Sequence, residues 1–61
     1  MTIKITNETA RRTGTRTEFV RSSYIARSIG ECRDGVDAMA FELACEHGQI
    51  IRLGQVTAEP A

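Results

Sequence analysis

Three side chains in this sequence carry soft or imidazole donors: Cys32, Cys45 and His47. Such donors hold zinc when four converge at CxxC-type spacing, and a thiolate beside an imidazole acts as a nucleophile. Neither pattern is met. The set stops at three, and Cys32 lies thirteen residues before Cys45. On a helix, Cys45 and His47 would not face each other, because residues two apart do not. On a strand they would share a face, with no oxyanion hole to support them. "RDGVD", residues 33–37, has the flavour of a calcium loop but lacks the twelve-residue oxygen pattern and its closing glutamate. The expectation is two reduced, core-type thiols and a His47 at a helix end or in a turn. No catalytic residue, metal ligand or cofactor is expected, so the chain does not read as an enzyme.

The other available chemistry is positive charge. "ETARRTGTRTEFVRSS", residues 8–23, holds Arg11, Arg12, Arg16 and Arg21, four of the seven arginines, in a chain of zero formal net charge. Residues 1–33 carry seven cations against three anions, +4, and residues 34–61 carry one against five, −4. The plainer expectation is that the two halves meet and cancel. If the fold keeps them apart, the chain is a small dipole that steers its encounters. Arg11, Arg12, Arg16 and Arg21, with Tyr24 and Arg27 just beyond, are then the expected partner-binding residues.

Those arginines need elements to hold them. Ile3 and Ile5 alternate with Thr2, Lys4 and Thr6, the period of a half-buried strand. "TRTEFVR", residues 15–21, alternates again, and Gly14 lies between the two runs. Two β-type runs around a short glycine loop predict a hairpin. "SSYIARSIGECRDG", residues 22–35, changes period. Ile25, Ile29 and Cys32 form one helical stripe behind a serine cap, which predicts a helix ending near Gly35. Residues 37–48 fit two states. As a helix they would bury Val36, Met39, Ala40, Leu43 and Ala44, with Asp34 and Asp37 near the N-terminus and Gly48 at the end. As a strand they would align Met39, Phe41, Leu43 and Cys45. Helix is the favoured reading. "QIIRLGQV", residues 49–56, predicts one closing strand, and residues 57–61 predict a frayed tail.

The expected fold is therefore α+β, ββααβ or ββαββ, with one helical layer on a small antiparallel sheet in a single domain, residues 1–61. A chain of 61 residues buries about 60% of its unfolded surface, so its core is thin and leaves little room for a deep pocket. A thin core also favours a homodimer. The polar start "MTIKITNETA" does not read as a signal peptide, and no apolar run approaches a membrane span. The expected location is the cytoplasm.

Two resemblances bear on function. "IARSIGECRDGVDAM", residues 25–39, resembles a helix-turn-helix at Ala26, Ile29, Gly30, Val36 and Met39. It departs where contact with phosphates matters, since the would-be recognition helix carries Asp34, Asp37 and Glu42 and no basic residue. The basic hairpin would have to dock instead, as β-ribbon readers do. In size and style the chain resembles the very small α+β proteins that phages use against host machinery, anti-CRISPR proteins among them. The stretches behind that likeness are "MTIKITNETA", "SSYIARSIGE" and "QIIRLGQV". The resemblance implies a stoichiometric inhibitor that binds a protein or nucleoprotein complex and blocks nucleic-acid handling. The competing expectation is a small DNA-binding protein or transcriptional regulator.

Overall fold

The computed structural model describes all 61 residues. Two long strands, β1 (Ile3–Thr13) and β2 (Arg16–Ala26), form the N-terminal hairpin. A single 3-10 turn at Ile29–Glu31 leads to α1 (Gly35–His47), and two short strands, β3 (Ile51–Leu53) and β4 (Val56–Pro60), close the chain. The strands make one antiparallel sheet in the order β2-β1-β4-β3, with α1 on one face. The class is α+β and the element order ββαββ, as expected, but the one helix is the segment favoured as helix at residues 37–48, and both closing strands follow it.

Both hairpins turn by the same device. Thr13 pairs with Arg16 across Gly14-Thr15, and Leu53 pairs with Val56 across Gly54-Gln55. Gly14 has φ +60° and Gly54 +61°, while no non-glycine residue has positive φ. Left-handed backbone at only the first of two central residues matches a type II′ turn, whose twist suits the flanking strands.

Alternation sorts each strand between two faces. Ile3, Ile5, Tyr24, Ala26, Ile51, Leu53, Val56 and Ala58 point toward α1, which answers with Ala40, Phe41 and Ala44. Ile3, Ile5, Ala26, Ala40, Ala44 and Ala58 are fully buried. The two helix alanines let α1 lie close to the sheet, so a small set of side chains fills the layer between them. The other sheet face, with Lys4, Thr6, Glu8, Arg21, Arg52, Thr57 and Glu59, has no layer over it.

α1 starts and stops on local signals. Asp34 caps it by accepting the N–H of Asp37 at 3.0 Å, which satisfies one of the free donors of the first turn. Gly48 ends it at φ +66°, its N–H bonding Ala44 O at 2.8 Å. The buried stripe differs from the expected one. Asp37, Ala40, Phe41 and Ala44 face the sheet, while Val36 and Met39 are exposed and Leu43 is half-buried.

Three expectations are corrected. Residues 22–35 are not a helix: Ser22 and Ser23 pair with Asn7 and Thr6, and β2 runs on to Ala26. The strand ladder offers these residues hydrogen bonds that their local helical spacing cannot match. Gly35 consequently opens α1 rather than ending a helix. Residues 49–56 are not one strand, because Gly54-Gln55 turns the chain between β3 and β4. Residues 57–61 are not a frayed tail. Thr57 to Pro60 pair with Thr6 to Ile3, Ala58 is fully buried, and the Ala61 N–H bonds Thr2 O at 2.9 Å. No helix is long and apolar enough to cross a membrane.

Candidate binding surface on the β arm

The site follows from a mismatch in strand length. β1 and β2 pair along eleven residues, but β4 accompanies β1 only from Ile3 to Asn7. The last link to the body is Glu8 N–H to Gln55 O at 3.0 Å. Beyond it the hairpin leaves the sheet as a two-stranded arm, from the Glu8–Arg21 pair to the Thr13–Arg16 pair. At strand rise this is about 20 Å of ribbon, and it lengthens the molecule to 41 Å against 19 and 18 Å across.

No core lies under the arm. Every residue from Thr9 to Ser23 is exposed, and Phe19, paired with Ala10, is 70% exposed. Pairing keeps the arm extended, helped by the β-branched Thr9, Thr13, Thr17 and Val20. A lone two-stranded ribbon is marginal in water, and this one borrows order from the sheet at its base.

The arm places four of the six expected partner-binding residues together. Arg11 and Arg16 lie on the side that α1 occupies further down, and Arg12 and Arg21 lie on the open side. Arg21 Nε donates to Glu8 Oε2 at 2.7 Å, and Arg16 Nη2 to Glu18 Oε1 at 2.9 Å. These are the only two ion pairs in the molecule, so Arg11 and Arg12 have none. No arm arginine reaches an acid of α1. Charges of the two halves meet where Lys4 stands opposite Glu59 on the open sheet face, and no ion pair joins the halves. Four arginines sit on the arm and Lys4 and Arg52 on the open sheet face, while Asp34, Asp37, Glu42 and Glu46 sit at or on α1 and Arg33 lies beside its cap.

The other two residues lie elsewhere. Arg27 follows the end of β2, and its backbone N–H donates to Glu31 Oε1 at 2.6 Å. Tyr24 faces the helix side at the foot of the hairpin. Its hydroxyl donates to Asp37 Oδ2 and accepts the Arg33 N–H at 3.0 Å. The Arg33 guanidinium lies 4.1 Å from the ring centroid, a cation–π arrangement. Burial, then the bond to Asp37, pushes the Tyr24 hydroxyl up to about 12. Tyr24 thus anchors the hairpin to the helical layer.

Sequence reasoning did not single out Arg52. Beside the arm's base, Thr6, Glu8, Arg21, Arg52, Gln55 and Thr57 line a shallow polar cleft of 260 Å³. Arg52 Nε donates to Gly54 O at 3.2 Å. The signal was present in "IIRLG", where Arg52 alternates with the inward Ile51 and Leu53. Cys32 and Cys45 are both free and half-buried against the core. Burial, then the charges of Asp37, Glu31 and Asp34, pushes the Cys32 thiol up, away from nucleophile character.

No family model, no curated protein and no solved structure matches the chain.

Proposed function

We propose that this chain is a non-catalytic binding protein that presses its basic β arm into a nucleic-acid-handling complex and blocks it sterically. The observation that carries the reading is the arm itself: a ribbon exposed on both faces, bearing four arginines, two of them without an ion-pair partner. Such a projection adds little to the core and costs chain entropy to order, which a contact role explains. Guanidinium groups pair readily with phosphates and carboxylates, so the matching surface is acidic. The likeness in size and style to small phage inhibitors points the same way.

A second reading is favoured by the shape of the arm. A two-stranded ribbon fits the major groove of duplex DNA, which is about 12 Å wide. Direct DNA binding through Arg11, Arg12, Arg16 and Arg21 would give steep salt dependence, with log K falling by about 3.6 per decade for four phosphate contacts.

One experiment separates the two. The wild type and the triple variant Arg11→Ala/Arg12→Ala/Arg16→Ala are titrated against generic duplex DNA in a salt series. Each is also used to retain nucleoprotein complexes from host extract with and without nuclease. Inhibition through a complex predicts no duplex shift and nuclease-resistant retention by the wild type only. DNA binding predicts a low-salt shift that the triple variant loses. Equal behaviour of the two proteins in both assays would remove the arm from either reading.

A further inference from the structure

β2 is an edge strand, and only its charged Arg16, Glu18 and Arg21 blunt it. Its eleven-residue register is unbroken by a bulge, and it contains no proline or lysine, the usual devices against pairing with another chain. Which of its backbone groups face outward follows from β1. The Thr2 carbonyl and the Glu8 N–H both bond toward β4 and the turn before it. Even-numbered residues of β1 therefore point that way, and odd-numbered ones point to β2. Their partners on β2 are even-numbered. The free donors and acceptors of the edge thus belong to Thr17, Phe19, Arg21, Ser23 and Ile25.

We propose that two copies of this chain pair antiparallel along β2, about a two-fold axis at Ser22, to form one continuous eight-stranded sheet. Directly opposite residues in a sheet share a face, so the axis must pass through a residue rather than between two. Placed at Ser22, it sets Phe19 against Ile25, Val20 against Tyr24 and Arg21 against Ser23 of the second copy, each pair occurring twice. The three large exposed apolar side chains of the strand, Phe19, Val20 and Ile25, all gain an apolar or aromatic neighbour. Glu18 meets Ala26 and Thr17 meets Arg27, so no like charges oppose each other. Neighbouring registers fail on charge or on pairing. An axis at Arg21 sets that guanidinium against its own copy. One at Ser23 puts Phe19 against Arg27 and Arg21 against Ile25. One at Val20 puts Phe19 against Arg21. Directly opposed like charges destabilise a sheet, and aromatic pairs with β-branched residues stabilise it.

The pairing also supports the arm. Each ribbon, unsupported in one copy, would lie along the foot of the other hairpin, its end level with Ser28. The contact uses the backbone edge and leaves Arg11 and Arg12 on β1 uncovered. It stands apart from the partner reading above, because it is read by mass and exchange with no nucleic acid present.

The test is register-specific. Across the axis, Ser22 and its copy form a non-hydrogen-bonded pair with Cα atoms about 4.5 Å apart, within disulfide reach. Ser23 and its copy stand about 8 Å apart by strand spacing, outside it. Ser22→Cys and Ser23→Cys are oxidised in the otherwise unchanged chain, whose Cys32 and Cys45 serve as the shared background. A linked dimer is expected from Ser22→Cys alone, with the bond mapped by mass spectrometry. Light scattering on the wild type should give twice the 6.7 kDa chain mass, and Ser22→Lys should weaken association about tenfold or more. Amide exchange keeps the test sound should a variant fold poorly: in the wild-type dimer the Phe19, Arg21, Ser23 and Ile25 N–H groups are protected. A wild type of single-chain mass at all concentrations, fast exchange at those four amides, or equal linking of the two cysteine variants would overturn the proposal.

Discussion

The hydroxyl of Tyr24 donates to the carboxylate of Asp37, thirteen residues later in the chain, and this bond ties the foot of the hairpin to the first turn of α1. Asp37 is 1% exposed, and its Oδ1 has no hydrogen-bond partner. Oδ2 is therefore the one satisfied oxygen of a buried acid. Its own N–H is held by Asp34, so the cap, the acid and the tyrosine form one connected unit.

Tyr24→Phe removes the donor and leaves the carboxylate with no partner. The expected loss is about 1–3 kcal/mol, the cost of an unsatisfied buried polar group. Urea unfolding followed by circular dichroism reads it. A double-mutant cycle with Asp37→Asn should show coupling, and simple additivity would mean that the two residues act separately.

The same bond sets an alkaline limit. The Tyr24 hydroxyl is raised from 10.0 to about 12, chiefly by burial and then by Asp37. The folded state therefore holds this proton more tightly than the unfolded chain does. Its contribution to stability is complete below pH 10 and is lost as pH rises toward about 12. Tyr24 is the only tyrosine and there is no tryptophan, so tyrosinate absorbance follows this group alone. Titration near the free value in the folded protein would contradict the expected sign.

The two glycine turns predict contrasting variants. Gly14→Ala and Gly54→Ala each force a left-handed residue, at about 1–2 kcal/mol. At Gly14 the damage stays in the arm, where no core is at stake, and amide exchange should speed up in β1 and β2 near the tip but not in α1. At Gly54 the turn holds β4, which buries Val56 and Ala58, so the denaturation midpoint of the whole protein should fall. Equal global losses at the two sites would show that the arm and body unfold together.

Alanine at Arg11, Arg12 and Arg16 should change stability by no more than about 0.5–1 kcal/mol, because all three are exposed and the one ion pair removed lies at the surface. Thermal unfolding checks this, and a large loss would make the arm arginines structural.

Some of this was legible in the sequence for definite physical reasons. The N-terminal hairpin follows from alternation around Gly14, and α1 from the Asp34 cap and Gly48, all of them local signals. Residues 22–35 misled because Ile25, Ile29 and Cys32 fall at helical spacing by coincidence. The pairing of Ser22 and Ser23 with β1 is non-local and leaves no periodic trace. β4 hid because its inward residues, Val56 and Ala58, are small and stand among Thr57, Glu59 and Pro60. The rotated face of α1 hid for a related reason: burying Asp37 makes sense only once Tyr24 is seen beside it. The arginines were visible, but their projection beyond the body was not. It depends on where β4 stops pairing, a length difference between strands distant in sequence.

That length difference separates two kinds of evolutionary constraint. The body must keep Ile3, Ile5, Phe41 and the alanines that fit beneath the helix. The ribbon past Glu8 need only stay extended and reverse at Gly14. Under the proposed binding role, the outward side chains of its β1 strand, which the pairing along β2 leaves uncovered, drift under selection for contact alone, so a lineage carrying this scaffold could exchange one target for another by rewriting a few outward positions while the packed layer stays fixed.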